Sequence, residues 1–171
     1  MGRKVNPIGF RLKINRDWDS RWYAEGSDFV DLLQEDREIR KYVSRELGRA
    51  GIARVEIERF PNQVVTTIHT QRPGIIIGQK GAAVKKLKQD LQKLTGGKNV
   101  RVEVTEIAKP DLEAVLVAEN IGQQIERRIG HSRAMKRAVS QAMRLGAKGI
   151  RIEVSGRLAG ADMARRELVS E

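Results

Sequence analysis

Cysteine is absent from this chain of 171 residues, which excludes a disulfide framework, a thiolate nucleophile and a cysteine-bound zinc. A cytoplasmic setting is the default for such a composition. Aromatic residues make up only 4%, so the cores must be built from Ile, Val, Leu and Ala. Long apolar runs are also missing. The longest are stretches such as Gly74-Ile75-Ile76-Ile77-Gly78, far short of a membrane span. The start, Met1-Gly2-Arg3-Lys4-Val5-Asn6-Pro7, lacks the apolar stretch and cleavage site of a secretory signal. Pro7 stands where a myristoylation motif needs Ser or Thr.

Catalytic groups are equally sparse. The two histidines, His69 and His131, fall in different predicted domains and in no metal-ligand spacing, so neither a metal nor a cofactor is expected. His69 reads as a structural strand residue. His131, beside a basic helix, reads as a hydrogen-bonding group at a helix start. No Gly-x-Ser-x-Gly elbow occurs, since Ser155-Gly156 lacks the preceding glycine. Asp31, Glu35 and Glu38, at helical spacing, read as a solvated face. The chain is not expected to be an enzyme, and a nucleic-acid-processing enzyme is the weaker rival reading.

What is present is positive charge. Lys and Arg number 33 against 22 Asp and Glu, a net charge of +11, and such a surplus implies an anionic partner. Its distribution says more. Residues 1–16, 59–89 and 127–152 hold basic side chains and no acid, while half the carboxylates lie between Asp17 and Glu58. Arg3, Lys4 and Arg11 belong to the first stretch, and Arg72, Lys80, Lys85 and Lys88 to the second. Arg127, Arg128, Arg133, Lys136, Arg137, Arg144 and Lys148 belong to the third.

Periodicity divides the chain into a basic extended arm over 1–25, a domain over 26–108 and a second domain over 109–171. Trp18, Trp22 and Tyr23 form a cluster that could anchor the arm. Ser27 is the expected cap of a helix with Ile39, Val43, Leu47 and Ala50 inward, and the pattern admits a break at 34–36. Ala53, Val55 and Ile57 alternate with charged residues, Pro61-Asn62 turns, and Val64–Thr70 reads as the return strand. A short apolar turn, a helix with Val84, Leu87, Leu91 and Leu94 inward, and a strand through Val100, Val102 and Val104 complete this domain. Beyond Lys109-Pro110, Asp111–Ile129 reads as helix, and Ser132 as the cap of a further helix over 133–145. A strand over Ile150–Val154 follows, with one more short helix expected over 160–168.

Gly78-Gln79-Lys80-Gly81 lies between the short apolar turn and the long helix. Two glycines permit close backbone approach, the following helix start offers unpaired amides, and Lys80 adds a full charge. The combination suits a clamp on a sugar-phosphate backbone, with bases laid across the neighbouring groove. A nucleotide P-loop fits badly, because Ala82-Ala83 follow where Lys-Ser or Lys-Thr is required. The helix over 133–145 gathers Arg133, Lys136, Arg137 and Arg144 within an arc of about 100° opposite an Ala- and Met-rich side. Like charges at such spacing cost about 0.2–0.5 kcal/mol per pair, a repulsion that a polyanion would relieve.

The order of elements around Ile-Ile-Gly-x-Lys-Gly resembles a type II KH domain, whose GxxG loop clamps nucleotide backbones. The resemblance then widens. Gly2-Arg3-Lys4-Val5-Asn6-Pro7-Ile8-Gly9-Phe10-Arg11-Leu12 is similar to the N-terminus of the bacterial small-subunit ribosomal protein three family. So are Arg72–Gly78, Arg133-Ala134-Met135-Lys136-Arg137-Ala138, Gly146-Ala147-Lys148-Gly149 and Val154-Ser155-Gly156-Arg157. The resemblance implies two α+β domains, KH-like and then α/β, in the head of the small ribosomal subunit. It implies ribosomal RNA, messenger RNA and small-subunit proteins ten and fourteen as partners. It also implies a place beside proteins four and five, lining the channel by which messenger enters, where the positions of Ser132, Arg133 and Lys136 help open structured messenger. Ser132 departs from the family, which often has a basic residue there. Family members continue with further strands, so the second domain is expected to be incomplete here, with Ile150–Val154 lacking a nearby partner strand. A free KH-type regulator is the alternative reading.

Overall fold

The computed structural model describes residues 2–171, and the chain divides into two compact units, Met1–Glu106 and Ile107–Glu171. The first unit is a mixed four-stranded sheet in the order β1-β2-β3-β4 with helices packed against it. Its strands are β1 (Ser20–Arg21), β2 (Ile52–Phe60), β3 (Gln63–Thr70) and β4 (Asn99–Glu106). β2 and β3 form an antiparallel hairpin with a register shift near Ala53, and β4 runs parallel to β3 from Gln63↔Asn99 to Thr70↔Glu106. A parallel neighbour requires a crossover, and α3 (Pro73–Ile77) and α4 (Ala82–Leu94) supply it. The loop Gly78-Gln79-Lys80-Gly81 therefore lies within that crossover.

Helix α2 (Gly26–Glu46) and α4 close the core. Ile39 and Val43 of α2 meet Val55, Ile57, Val64, Ile68 and Val100 of the sheet, with Ile76, Leu87 and Leu91 from the crossover. All are aliphatic, as the shortage of aromatics requires. Each such side chain contributes roughly 1.5–3 kcal/mol on full burial. Leu94, expected inward, is partly exposed at the helix end.

The arm is not wholly extended. Asn6 caps a short helix, α1 (Pro7–Arg11), by accepting from the Ile8 amide at 2.9 Å, and β1 pairs parallel with β2. Its anchor is Trp22, whereas Trp18 and Tyr23 are exposed. The Trp22 indole donates to Asp36 at 2.8 Å and its ring lies 5.5 Å from Phe29. Asp36 is fully buried and also accepts from Ser20 Oγ at 2.9 Å and from Arg59 Nε and Nη2 at 2.9 and 2.7 Å. The break admitted at 34–36 does not occur, because these donors satisfy Asp36 inside a continuous helix. Nor does Ser27 cap α2, which begins one residue earlier with Glu25 at the cap position.

In the second unit, α5 (Ala114–Glu126) and α6 (His131–Arg144) pack with a two-stranded antiparallel sheet. α5 is shorter than the expected 111–129, since Pro110–Leu112 winds as a 3₁₀ turn before it. Ser132 lies inside α6, whose cap position is Gly130. The expectation of an unpaired strand and a helix over 160–168 is overturned. β5 (Arg151–Gly156) pairs with β6 (Arg165–Ser170), from Arg151↔Ser170 to Gly156↔Arg165. A tight turn at Leu158–Gly160, with positive φ at Ala159 and Gly160, reverses the chain and leaves too few residues for a helix.

Candidate nucleic-acid interface

The glycine loop is built from its entrance. Thr70 Oγ1 donates to the Ala50 carbonyl at 2.8 Å and accepts from the Arg72 amide at 3.2 Å, and the Arg72 amide also donates to the Ala50 carbonyl at 3.1 Å. This knot fixes the end of β3 and leaves Arg72 exposed at the cap position of α3. Pro73 begins α3, where a missing N–H costs nothing. Ile76 is buried, while Ile75 and Ile77 flank the loop partly exposed, an apolar surface beside the glycine loop.

Gly78 ends α3 at φ 69°, donating its amide to Gly74 at 2.9 Å. A Cβ at Gly78 would lie 2.6 Å from the Ala83 Cβ, so this position needs glycine for both dihedral and space. Gly81 has φ 76° with open space around it. Between them Lys80 also has positive φ, 50°, an uncommon conformation for a side-chain-bearing residue. The result lifts Gln79 and Lys80 clear of the protein, both exposed, at the start of α4. Lys85 and Lys88 follow exposed on α4. Lys86 is exposed there too and was not singled out from the sequence, although it lies in the same acid-free stretch.

The second cluster lies on α6. Arg133, Lys136, Arg137 and Arg144 are exposed, with Ala134, Met135, Val139 and Ala142 buried on the opposite side. A shallow cleft is lined by Ser132, Arg133, Lys136, Arg137 and Ser140. Arg127 and Arg128 precede the helix, Arg128 with positive φ of 63°, and Lys148 follows it. In the first unit Arg3, Lys4 and Arg11 are exposed on the arm, Arg11 donating to the Pro7 carbonyl at 3.0 Å.

Among the described residues, Lys80, Arg133, Lys136 and Arg137 form no ion pair with a carboxylate. Other cations are neutralised internally. Arg59, from the acid-free stretch 59–89, pairs with Glu35 and Asp36, both at 2.7 Å. On the sheet, Glu56 gathers Arg54 at 2.6 Å and Arg21 at 3.6 Å, and His69 Nε2 lies 3.2 Å from the same carboxylate without making a hydrogen bond. His131 does not bond at its own helix start. It reaches Glu167 of β6 at 2.8 Å, a partner 36 residues away.

A glycine-bracketed cationic loop in the crossover of a mixed sheet defines a KH-type RNA-binding protein. The KH domain family model matches residues 38–112, and a model described as the C-terminal domain of ribosomal protein S3 matches 121–171. Small ribosomal subunit protein uS3 of Roseobacter denitrificans is 54% identical over 171 residues, the whole of this chain and 72% of the relative. The uS3 proteins of Caldicellulosiruptor bescii and Desulforudis audaxviator are 52% and 53% identical over the same 171 residues, covering 77% and 78% of those relatives. The chain belongs to the small ribosomal subunit protein uS3 family. It is an RNA-binding structural constituent of the small subunit in the cytoplasm, where its partner is ribosomal RNA, and it is not an enzyme.

Proposed function

We propose that the chain sits in the head of the small subunit and lines the path by which messenger RNA enters, helping to open structured messenger. In this reading an arm over 1–25, an RNA-binding domain over 26–108 and a C-terminal α/β domain over 109–171 divide the work. Arg3, Lys4, Arg11, Arg72, Gly78, Gln79, Lys80, Gly81, Lys85 and Lys88 hold RNA in the first unit. Arg127, Arg128, Arg133, Lys136, Arg137, Arg144 and Lys148 hold it in the second. Small-subunit proteins ten and fourteen are the protein neighbours.

The observation that carries the messenger role is the face of α6, where Arg133, Lys136, Arg137 and Arg144 are exposed without an acid on the helix. Mutual repulsion keeps these side chains apart, and a phosphate backbone satisfies them with release of counterions. Contacts to phosphate carry no sequence information, which suits a surface that every messenger must pass. Ser132 provides a hydroxyl and no charge, so the work falls on Arg133 and Lys136.

Reconstituted small subunits carrying Arg133→Ala with Lys136→Ala test this. Incorporation should survive, passage of a structured messenger should slow, and passage of an unstructured one should not. Unchanged passage through structure would remove the role from this helix.

A further inference from the structure

We propose that His131 is a positioning residue for the basic helix, holding its start against β6 through Glu167 and so setting the aim of Arg133 and Lys136. This deepens the messenger-path reading and rests on it. α6 begins at His131 with no side-chain cap. The imidazole Nε2 lies 2.8 Å from Glu167 Oε2, and the His131 side chain is only 14% exposed. The other carboxylate oxygen of Glu167 accepts from Arg165 Nε at 2.9 Å, with Arg165 Nη2 also at 2.9 Å, so both oxygens are committed. Glu167 stands opposite Val154 inside the β5–β6 ladder, which makes it a fixed post.

Among the described residues this is the one side-chain hydrogen bond joining α6 to the hairpin. The side chains that α6 itself buries are aliphatic or thioether, namely Ala134, Met135, Val139 and Ala142. Apolar burial is non-directional and methionine adapts its shape, so that packing holds the helix without fixing where its first turn points. A hydrogen bond at its first residue does fix it. Arg133 and Lys136 follow two and five residues on, exposed and without an internal partner, so the backbone of these first turns sets the point from which each side chain departs. Groups that act by position need support to within about 0.5 Å.

The test uses small subunits reconstituted with the full chain and a messenger carrying a stable hairpin. His131→Ala, and independently Glu167→Ala from the strand side, should slow passage through the hairpin several-fold while unstructured messenger passes at the normal rate. His131→Gln, whose amide can still donate to Glu167, should restore passage. In subunits already carrying Arg133→Ala with Lys136→Ala, adding His131→Ala should change nothing further, because residues acting through one another are not additive. An additive loss, or failure of His131→Gln to rescue, overturns the positioning role. Normal passage with His131→Ala and Glu167→Ala, when Arg133→Ala with Lys136→Ala is slow, overturns it as well. If Arg133→Ala with Lys136→Ala is itself without effect, the messenger-path reading fails instead, and the positioning role with it.

Discussion

Gly78 and Asp36 set limits on this chain at the level of single residues. At Gly78 the dihedral and the 2.6 Å approach to the Ala83 Cβ act together. Gly78→Ala should therefore cost about 1–3 kcal/mol of strain, read as a lowered urea midpoint. It should also weaken RNA binding, because relief of the clash moves the loop. Asp36 is a buried carboxylate serving Ser20, Trp22 and Arg59 at once. Asp36→Ala leaves the nearly buried Arg59 guanidinium with Glu35 as its remaining carboxylate. Breaking one side of a buried pair costs about 3–5 kcal/mol, and proteolysis within residues 17–25 should accelerate as the arm loosens. A variant as stable as the parent would show that the network contributes specificity and not stability.

Between elements, the polar joints are few and identifiable. Tyr42 of α2 donates to Asp90 of α4 at 2.8 Å. The bond to Asp90, with burial and the nearby carboxylate charges, pushes its phenol up from 10.0 to about 12. The sign follows from which form the fold prefers. The protonated phenol is favoured, so this contribution is complete below pH 10.0 and is lost as pH rises toward about 12. The stability difference between the parent and Tyr42→Phe should therefore shrink over that window, which urea titrations at stepped pH would measure. At the other end of the scale, Arg165 first and His131 with it hold the Glu167 carboxyl below its usual 4.5. That contribution is present above 4.5 and fades as pH falls through the lowered value. Helix and strand positions were readable because burial recurs with periods of 3.6 and 2. The β5–β6 hairpin was not, since Arg165-Arg166-Glu167-Leu168 alternates weakly and only the turn at Leu158–Gly160 commits it to pairing.

For the molecule as a whole, net charge governs how it meets RNA. Affinity for single-stranded RNA should fall linearly in log–log form with salt, with a slope of roughly −0.7 per phosphate neutralised. Lys80→Asp should make that slope shallower and weaken binding at every salt concentration. A slope indifferent to Lys80 would remove the loop from the interface. Total charge overstates the footprint, because Arg59, Arg54, Arg21 and Lys98 are spent on internal carboxylates. Lys98 reaches Glu35 across 63 positions at 3.2 Å, a pairing no local window contains.

The order of residues along the chain determined the aliphatic cores, the cationic loop between its glycines and the charged face of α6. Each of these depends on neighbours within a turn or two, where dihedral preference and side-chain period act directly. Folding decided which cations remain available, that Trp22 and not Trp18 anchors the arm, and that His131 faces Glu167. Those outcomes depend on groups brought together from distant positions, where burial makes a paired charge worthwhile and an unpaired one costly.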